Sequence, residues 1–233
     1  MRKTLWILGD QLTPDHPAFN QLYDHEPVRI LMIESKACLG RLPYHPKKLV
    51  LLLSAMRHRA EALRKAGFSV DYRQDENMLR GLLAHSNEHQ PERLITMRAS
   101  SYQGHEFQLG LSKRLGLPVT ILPNRQFLSN RFDPLPELDH GDDVRQERFY
   151  RAMRRHWDLL MDSDQQPMGG VWNYDKQNRK PLPPEIDPPA AIRFEPDPLT
   201  AQVMDEIDQQ YRGSGVLEGF DLAVTPAEAQ LAV

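Results

Sequence analysis

The sequence predicts an α/β fold, with a five-stranded parallel sheet that carries helices on both faces. Short, almost wholly apolar runs such as residues 4–8 end abruptly in turn residues, which is typical of strands buried on both faces. These runs alternate with segments of helical periodicity. Right-handed crossovers between parallel strands then give a doubly wound, Rossmann-like sheet of strand order 3-2-1-4-5, followed by a helical and extended C-terminal connector.

Nine elements are predicted in the first 122 residues. The five strands are residues 4–8, 28–33, 68–72, 93–97 and 118–122. The strongest helix begins at Pro46 and runs to residue 66, where Gly67 stops it. Weaker helical patterns cover residues 78–85 and 105–115. A short helix is expected to start at Asp15, with Phe19, Leu22 and Tyr23 facing inward.

The remainder of the chain has a different character. Residues 124–142 are loop-rich, residues 143–161 predict a long helix, and residues 162–193 form a proline-rich connector. A further helix is expected over residues 197–211, and another begins at Thr225. We therefore divide the chain into an α/β domain, residues 1–130, and a connector, residues 131–233. Because the last helix begins so clearly and stops so soon, we expect a longer protein that has been truncated.

Composition excludes several classes of protein. The chain has 233 residues and a net charge of −3, so contact with nucleic acid would need a local basic patch. Its single cysteine, Cys38, excludes an intrachain disulfide and a metal site built from several cysteines of this chain. No apolar run approaches the ~20 residues of a membrane span, and the N-terminus lacks a signal-peptide pattern, so a cytoplasmic protein is the default expectation.

The candidate binding site lies where the strand order reverses, beyond the carboxyl ends of the strands. Gly9, Asp10 and Gln11 follow the first strand, and Glu34 ends the second. Residues 98–102, after the fourth strand, are expected to face them. The loop over residues 35–45, with Cys38 and His45, is long enough to be a binding loop. The alternative is structural: Gly9-Asp10 as a simple turn and Glu34 as a loop cap.

Familiar catalytic and cofactor motifs are not identified. We find no Gly-x-Gly-x-x-Gly after the first strand, no Walker loop, no Gly-x-Ser-x-Gly elbow and no metal-binding histidine pair at helical spacing. No catalytic or metal-ligating residue is therefore assigned. The residues alone indicate a ligand-binding domain with a tail.

Several separate motifs, in the same order along the chain, resemble the bacterial photolyase-related proteins, which include iron–sulfur bacterial cryptochromes and six-four photolyases. The motifs are ILGDQL (7–12), SAMRH (54–58), RQFLS (125–129), RFYRAMRR (148–155), PMGGVWNYD (167–175) and NRKP (178–181). The resemblance implies an N-terminal antenna domain that holds a ribityl lumazine. It also implies a following helical domain with FAD, a four-cysteine iron–sulfur cluster and the DNA-lesion pocket.

The resemblance assigns the antenna pocket residue by residue. Gly9, Asp10 and Gln11 match its first motif, and Glu34 matches its carboxylate at the end of the second strand. Cys38 stands where a second carboxylate is expected, and Arg41 where an aromatic residue is expected. Residues 98–103 also differ from the family's acidic, glycine-containing loop.

Three functions are compatible with these patterns. The first is the antenna domain of a photolyase or cryptochrome, for DNA repair or blue-light sensing. That domain would be inactive alone, and damaged DNA would be bound by the missing domain, which would also hold FAD and the iron–sulfur cluster. The second is a stand-alone small-molecule-binding module without photochemistry. The third is a nucleic-acid-binding helix that uses a row of arginines, Arg148, Arg151 and Arg155.

Overall fold

A computed structural model describes residues 2–19, 28–134, 146–176, 178–211 and 215–232. The chain divides into two compact units, one of residues 1–124 with 191–233 and the other of residues 125–190. The tail from residue 191 thus belongs with the sheet, whereas the sequence grouped residues 131–233 as one connector. The division into a domain of residues 1–130 and a connector of residues 131–233 stays a prediction.

The first unit is built on five parallel strands in the order β3-β2-β1-β4-β5, which confirms the predicted topology. The strands are β1 (Lys3–Ile7), β2 (Val28–Ser35), β3 (Ser69–Asp75), β4 (Arg93–Met97) and β5 (Val119–Leu122). β1 is central: Leu5 is in register with Ile30 on one side and with Ile95 on the other. A strand covered on both faces needs apolar side chains in both directions, which explains the unbroken apolar run.

Eight helices are described. They are α1 (Lys36–Leu39), α2 (Pro46–Lys65), α3 (Met78–His89), α4 (Tyr102–Leu109), α5 (Leu111–Leu115), α6 (Gln146–His156), α7 (Pro198–Gln210) and α8 (Pro226–Leu231). Pro46 occupies the first turn of α2, as predicted. At α8 the Thr225 side chain and Glu228 form a reciprocal capping box.

Three local predictions differ from the structure. The helix expected over residues 105–115 is two helices, α4 and α5, which meet at Gly110. The long helix expected over residues 143–161 ends at His156, because Asp158 and Leu160 have positive φ angles. The short helix expected to start at Asp15 does not begin there, since residues 14–15 and 17–18 form turns. Leu22 and Tyr23, expected in the first short helix, lie outside the described residues.

The core lies on both faces of the sheet, and successive residues of each strand alternate between the two layers. One layer joins Leu5 and Ile30 to apolar residues of α2 and α7. The other joins Trp6 and Leu31 to side chains from α3 and α5. Since Val203 and Ile207 of α7 are fully buried in the first layer, the tail contributes to the core and is not a loose extension.

A buried arginine organises the second unit. Arg154 of α6 donates to the carbonyls of Leu159 and Trp172, at 2.9 and 3.3 Å, and also to that of Leu160. Its side chain is nearly covered, with 6% of its surface exposed. Satisfying these carbonyls holds the turns that follow α6.

Among the described helices of both units, none combines the length and apolar character needed to cross a membrane.

Candidate ligand-binding site

A cavity of about 730 Å³ opens at the carboxyl ends of β1, β2 and β4. It lies beside the switch point between β1 and β4, where open α/β sheets bind their ligands. Gly9 and Asp10 line it from one side of the switch point, and residues 99–101 line it from the other. The sequence predicted that residues 9–11 and 98–102 face each other here; most of these residues line the crevice, but Gln11, Arg98 and Tyr102 do not.

The cavity has apolar walls and a polar mouth. Trp6 and Phe107 contact each other edge to face, with ring centroids 6.3 Å apart, and both line the wall. The other large aliphatic and methionine side chains of the lining are Leu8, Ile33, Leu39, Leu49, Leu52, Leu53, Met56, Met78 and Leu79. Exposed polar residues, including Asp10, Arg41 and Gln103, lie at the mouth. This composition suits a flat ring with a polar substituent.

Gly9 lies in close contact with a neighbouring side chain. A Cβ atom at this position would lie 2.7 Å from the sulfur of Met56, which is buried in α2. A larger residue would force Met56 away from the end of β1. Gly9 thus permits close packing of α2 against the strand end, in addition to lining the cavity.

Glu34 is the centre of a hydrogen-bonded network. Its carboxylate accepts from Arg57 Nε and Nη2 at 2.8 and 3.1 Å, from Gln74 Nε2 at 3.0 Å and from the Tyr72 hydroxyl. Arg57 also pairs with Glu206 of α7. Both Glu34 oxygens therefore already hold two protein donors each.

The charges in this network shift the neighbouring pKa values. Burial and the negative charge of Glu34 raise the pKa of Tyr72. Burial acts to lower the pKa of Arg57, but hydrogen bonds to Glu206 and Glu34 outweigh it and raise that pKa. The hydrogen bond from Arg57 lowers the pKa of Glu206. The network thus ties β2, β3, α2 and α7 together with fixed charges.

Gln11 and His45 lie outside the residues that line the cavity. Gln11 is buried and donates to the carbonyls of Met97 and Arg98, at 3.4 and 3.0 Å, so it joins the ends of β1 and β4. His45 is the N-cap of α2, where Nδ1 accepts from the backbone N–H of Lys47 at 3.2 Å. Cys38, by contrast, lines the cavity and is exposed on α1.

Sequence reasoning missed three residues of the wall. Trp6 is fully buried, and its indole Nε1 has no hydrogen-bond partner among the described residues. Gln108 of α4 holds the β4 turn: it accepts from the Ala99 N–H and donates to the Met97 carbonyl, both at 2.8 Å. Phe107 completes the wall. Helical spacing alone would have marked Phe107 as core, and no sequence signal distinguished the other two.

Comparison with known proteins decides the family. The family model described as deoxyribodipyrimidine photo-lyase-related protein matches residues 5–222. The chain belongs to this photolyase-related family. A (6-4) photolyase of Agrobacterium fabrum (strain C58 / ATCC 33970) is 32% identical over 240 residues, which cover all of this chain and 47% of that protein. This photolyase-related chain thus spans about half the length of the curated relative that it matches.

Proposed function

We propose that the first unit of this chain binds a ribityl lumazine and serves as the antenna domain of a photolyase-related protein. The observation that carries the proposal is the cavity at the switch point, with apolar walls and a polar mouth. Its volume of about 730 Å³ lies within the range of ~300–1,000 Å³ that is usual for small-molecule and cofactor sites.

The donor and acceptor set fits such a ligand. The unpartnered Trp6 Nε1–H, in the wall, suits a ring carbonyl, which would satisfy that buried donor. Trp6 and Phe107 would hold the ring between apolar surfaces, and Asp10 at the mouth would accept from a ribityl hydroxyl. Glu34 also lines the cavity, but its carboxylate oxygens already accept from Arg57, Tyr72 and Gln74.

The chain's own residues bind, orient and desolvate the ligand. When bound, a lumazine absorbs light and passes the excitation energy on. The apolar wall excludes water from the ring, and the rigid strand ends fix its orientation. Each of these roles needs only side chains of the first unit.

For the whole protein we propose light-dependent repair of damaged DNA, or blue-light sensing. The support is family membership and the 32% identity to a protein named (6-4) photolyase. FAD and the iron–sulfur cluster would then be held by the other half of the full-length protein.

Fluorescence titration of the chain with a ribityl lumazine tests the proposal. Ala37 is exposed and lines the cavity, so Ala37→Trp should fill the mouth and weaken binding at least tenfold. Ala62→Trp is the matched control, because Ala62 is an exposed helical alanine outside the cavity lining. Absence of binding to the unmodified chain, or equal affinity of the two variants, would contradict the antenna assignment.

A second candidate is a small-molecule-binding module without photochemistry. The commitment of both Glu34 oxygens to protein donors favours it, since no carboxylate at that strand end is left for a ribityl chain. Thermal-shift screening with flat heterocycles that lack a ribityl chain separates the two. Stronger stabilisation by such compounds than by the ribityl lumazine would favour this second function.

A further inference from the structure

Three metal-ligand side chains meet away from the cavity, between β3 and α3. They are Asp71 of β3 and two histidines of α3, His85 and His89. The two histidines are four residues apart, so they lie on one helix face, and their ring centroids are 4.8 Å apart. This spacing corrects the sequence analysis, which identified no histidine pair at helical spacing.

The ligand atoms of these residues converge on one point. Asp71 Oδ2 lies 2.6 Å from His85 Nδ1 and 3.3 Å from His89 Nε2, and one ligand atom from each residue falls within 4.8 Å of the others. Zinc bound at about 2.1 Å in tetrahedral geometry needs ligand atoms about 3.4 Å apart. The Asp71–His89 distance is already close to that spacing, whereas Asp71 Oδ2 and His85 Nδ1 would have to separate by about 0.8 Å.

We propose that Asp71, His85 and His89 form a binding site for a divalent transition metal of the zinc class. Two imidazoles and one carboxylate are a donor set that suits zinc, and three protein ligands leave a fourth position for water or another side chain. None of the three residues lines the cavity described above, so the site is independent of chromophore binding.

A second hydrogen bond prepares His85 for this role. His85 is fully buried, and its Nε2 lies 2.8 Å from the hydroxyl of Thr4. In the tautomer that carries the proton on Nδ1, Nδ1–H donates to Asp71 and Nε2 accepts from the Thr4 hydroxyl. With metal on Nδ1, the imidazole carries its proton on Nε2. Nε2–H then donates a hydrogen bond to the Thr4 hydroxyl, because a hydroxyl is both donor and acceptor. Metal-binding histidines characteristically have such a partner on the other ring nitrogen.

The charges around the cluster are of both signs. Arg73 Nε donates at 2.6 Å to Asp71 Oδ2, the oxygen that also faces both histidines, and Arg73 Nη2 donates to Glu88 at 2.6 Å. A metal ion would take the Asp71 oxygen from Arg73, which would keep Glu88 as its partner. Glu88 is largely exposed, and its Oε1 lies 3.5 Å from His89 Nε2, where it can supply the fourth ligand. Three cations, Arg2, Lys3 and Arg29, line a surface hollow with His89, and Arg29 is hydrogen-bonded to Ser69 at 2.7 Å.

The site is also accessible from solvent. His89 keeps 20% of its side chain exposed and lines a surface hollow of about 370 Å³, together with Thr4, Arg29 and Glu88. A metal ion therefore has an entry path, which a fully enclosed histidine–aspartate pair would lack.

Cobalt absorption tests the proposal on the full chain, prepared without an affinity tag and stripped with chelator. Addition of Co²⁺ should produce visible ligand-field bands that saturate at one equivalent and vanish when Zn²⁺ is added. His89→Gln should weaken metal binding at least tenfold. Since His89 is partly exposed, this variant should stay folded, which circular dichroism checks.

The matched control is His58→Gln. His58 also lies on a helix beside an aspartate, with its Nε2 3.4 Å from Asp197 Oδ1, but outside the cluster. Its replacement should leave the cobalt titration unchanged. Absence of ligand-field bands in the unmodified chain, or equal binding by the His89→Gln variant, would overturn the proposal and leave the cluster a structural network.

Discussion

Glu34→Gln should destabilise the first unit, because Glu34 serves the fold more than the ligand. The amide nitrogen of glutamine would replace one carboxylate oxygen and face two donors that now bind there. Hydrogen bonds to a charged group contribute about 1.5–3 kcal/mol each, and at least one is lost. Arg57 keeps its partner Glu206, so no charge is left alone. We expect a loss of about 2–4 kcal/mol in the free energy of unfolding.

Urea unfolding monitored by circular dichroism measures this loss as a lower midpoint at unchanged slope. Glu206→Gln is the matched control, since Glu206 binds the same Arg57 but is 29% exposed and should cost about 1 kcal/mol or less. The reasoning would be refuted if Glu34→Gln left stability within about 0.5 kcal/mol of the unmodified chain while abolishing binding of a ribityl lumazine.

Three further predictions concern single side chains. Gly9→Val should lower both stability and lumazine affinity, because even its Cβ would lie 2.7 Å from the Met56 sulfur; unchanged urea midpoint and fluorescence titration would contradict this. Burial, reinforced by the nearby charge of Arg59, lowers the pKa of His16 to about 4. As the pH falls, His16 is therefore protonated in the unfolded chain before it is protonated in the folded chain. The free energy of unfolding should be highest above about pH 6.5 and should fall by up to about 3 kcal/mol as the pH drops to 4. Urea midpoints measured across this range should decline less for His16→Phe than for the unmodified chain. Arg154→Ala should free the carbonyls that follow α6 and speed limited proteolysis near Trp172; a cleavage rate equal to that of the unmodified chain would show that the buried guanidinium is dispensable.

The strand pattern and the topology were predictable from local sequence. A strand buried on both faces is apolar along its whole length and ends in a turn. Residues 4–8 and the adjacent strands could therefore be recognised from their apolar runs and the turn residues that follow them. Pro46 and Thr225 marked helix starts because their capping chemistry is local. The predicted strand order alone placed Gly9-Asp10 and residues 99–101 at the same crevice.

The role of each polar side chain was decided by tertiary structure. Glu34 and His45 were predicted to bind a cofactor, which stays a prediction, and the structure gives each a role that the sequence did not indicate. Glu34 accepts from Arg57 of a distant helix, and His45 caps α2. The joining of Asp71 to His85 likewise depends on the packing of α3 against β3. Backbone periodicity depends on neighbouring residues, whereas the partner of a carboxylate or imidazole depends on which distant donors folding brings within about 3 Å. Sequence therefore determined the sheet and its crevice, and only the packed chain determined which polar groups remain available to a ligand.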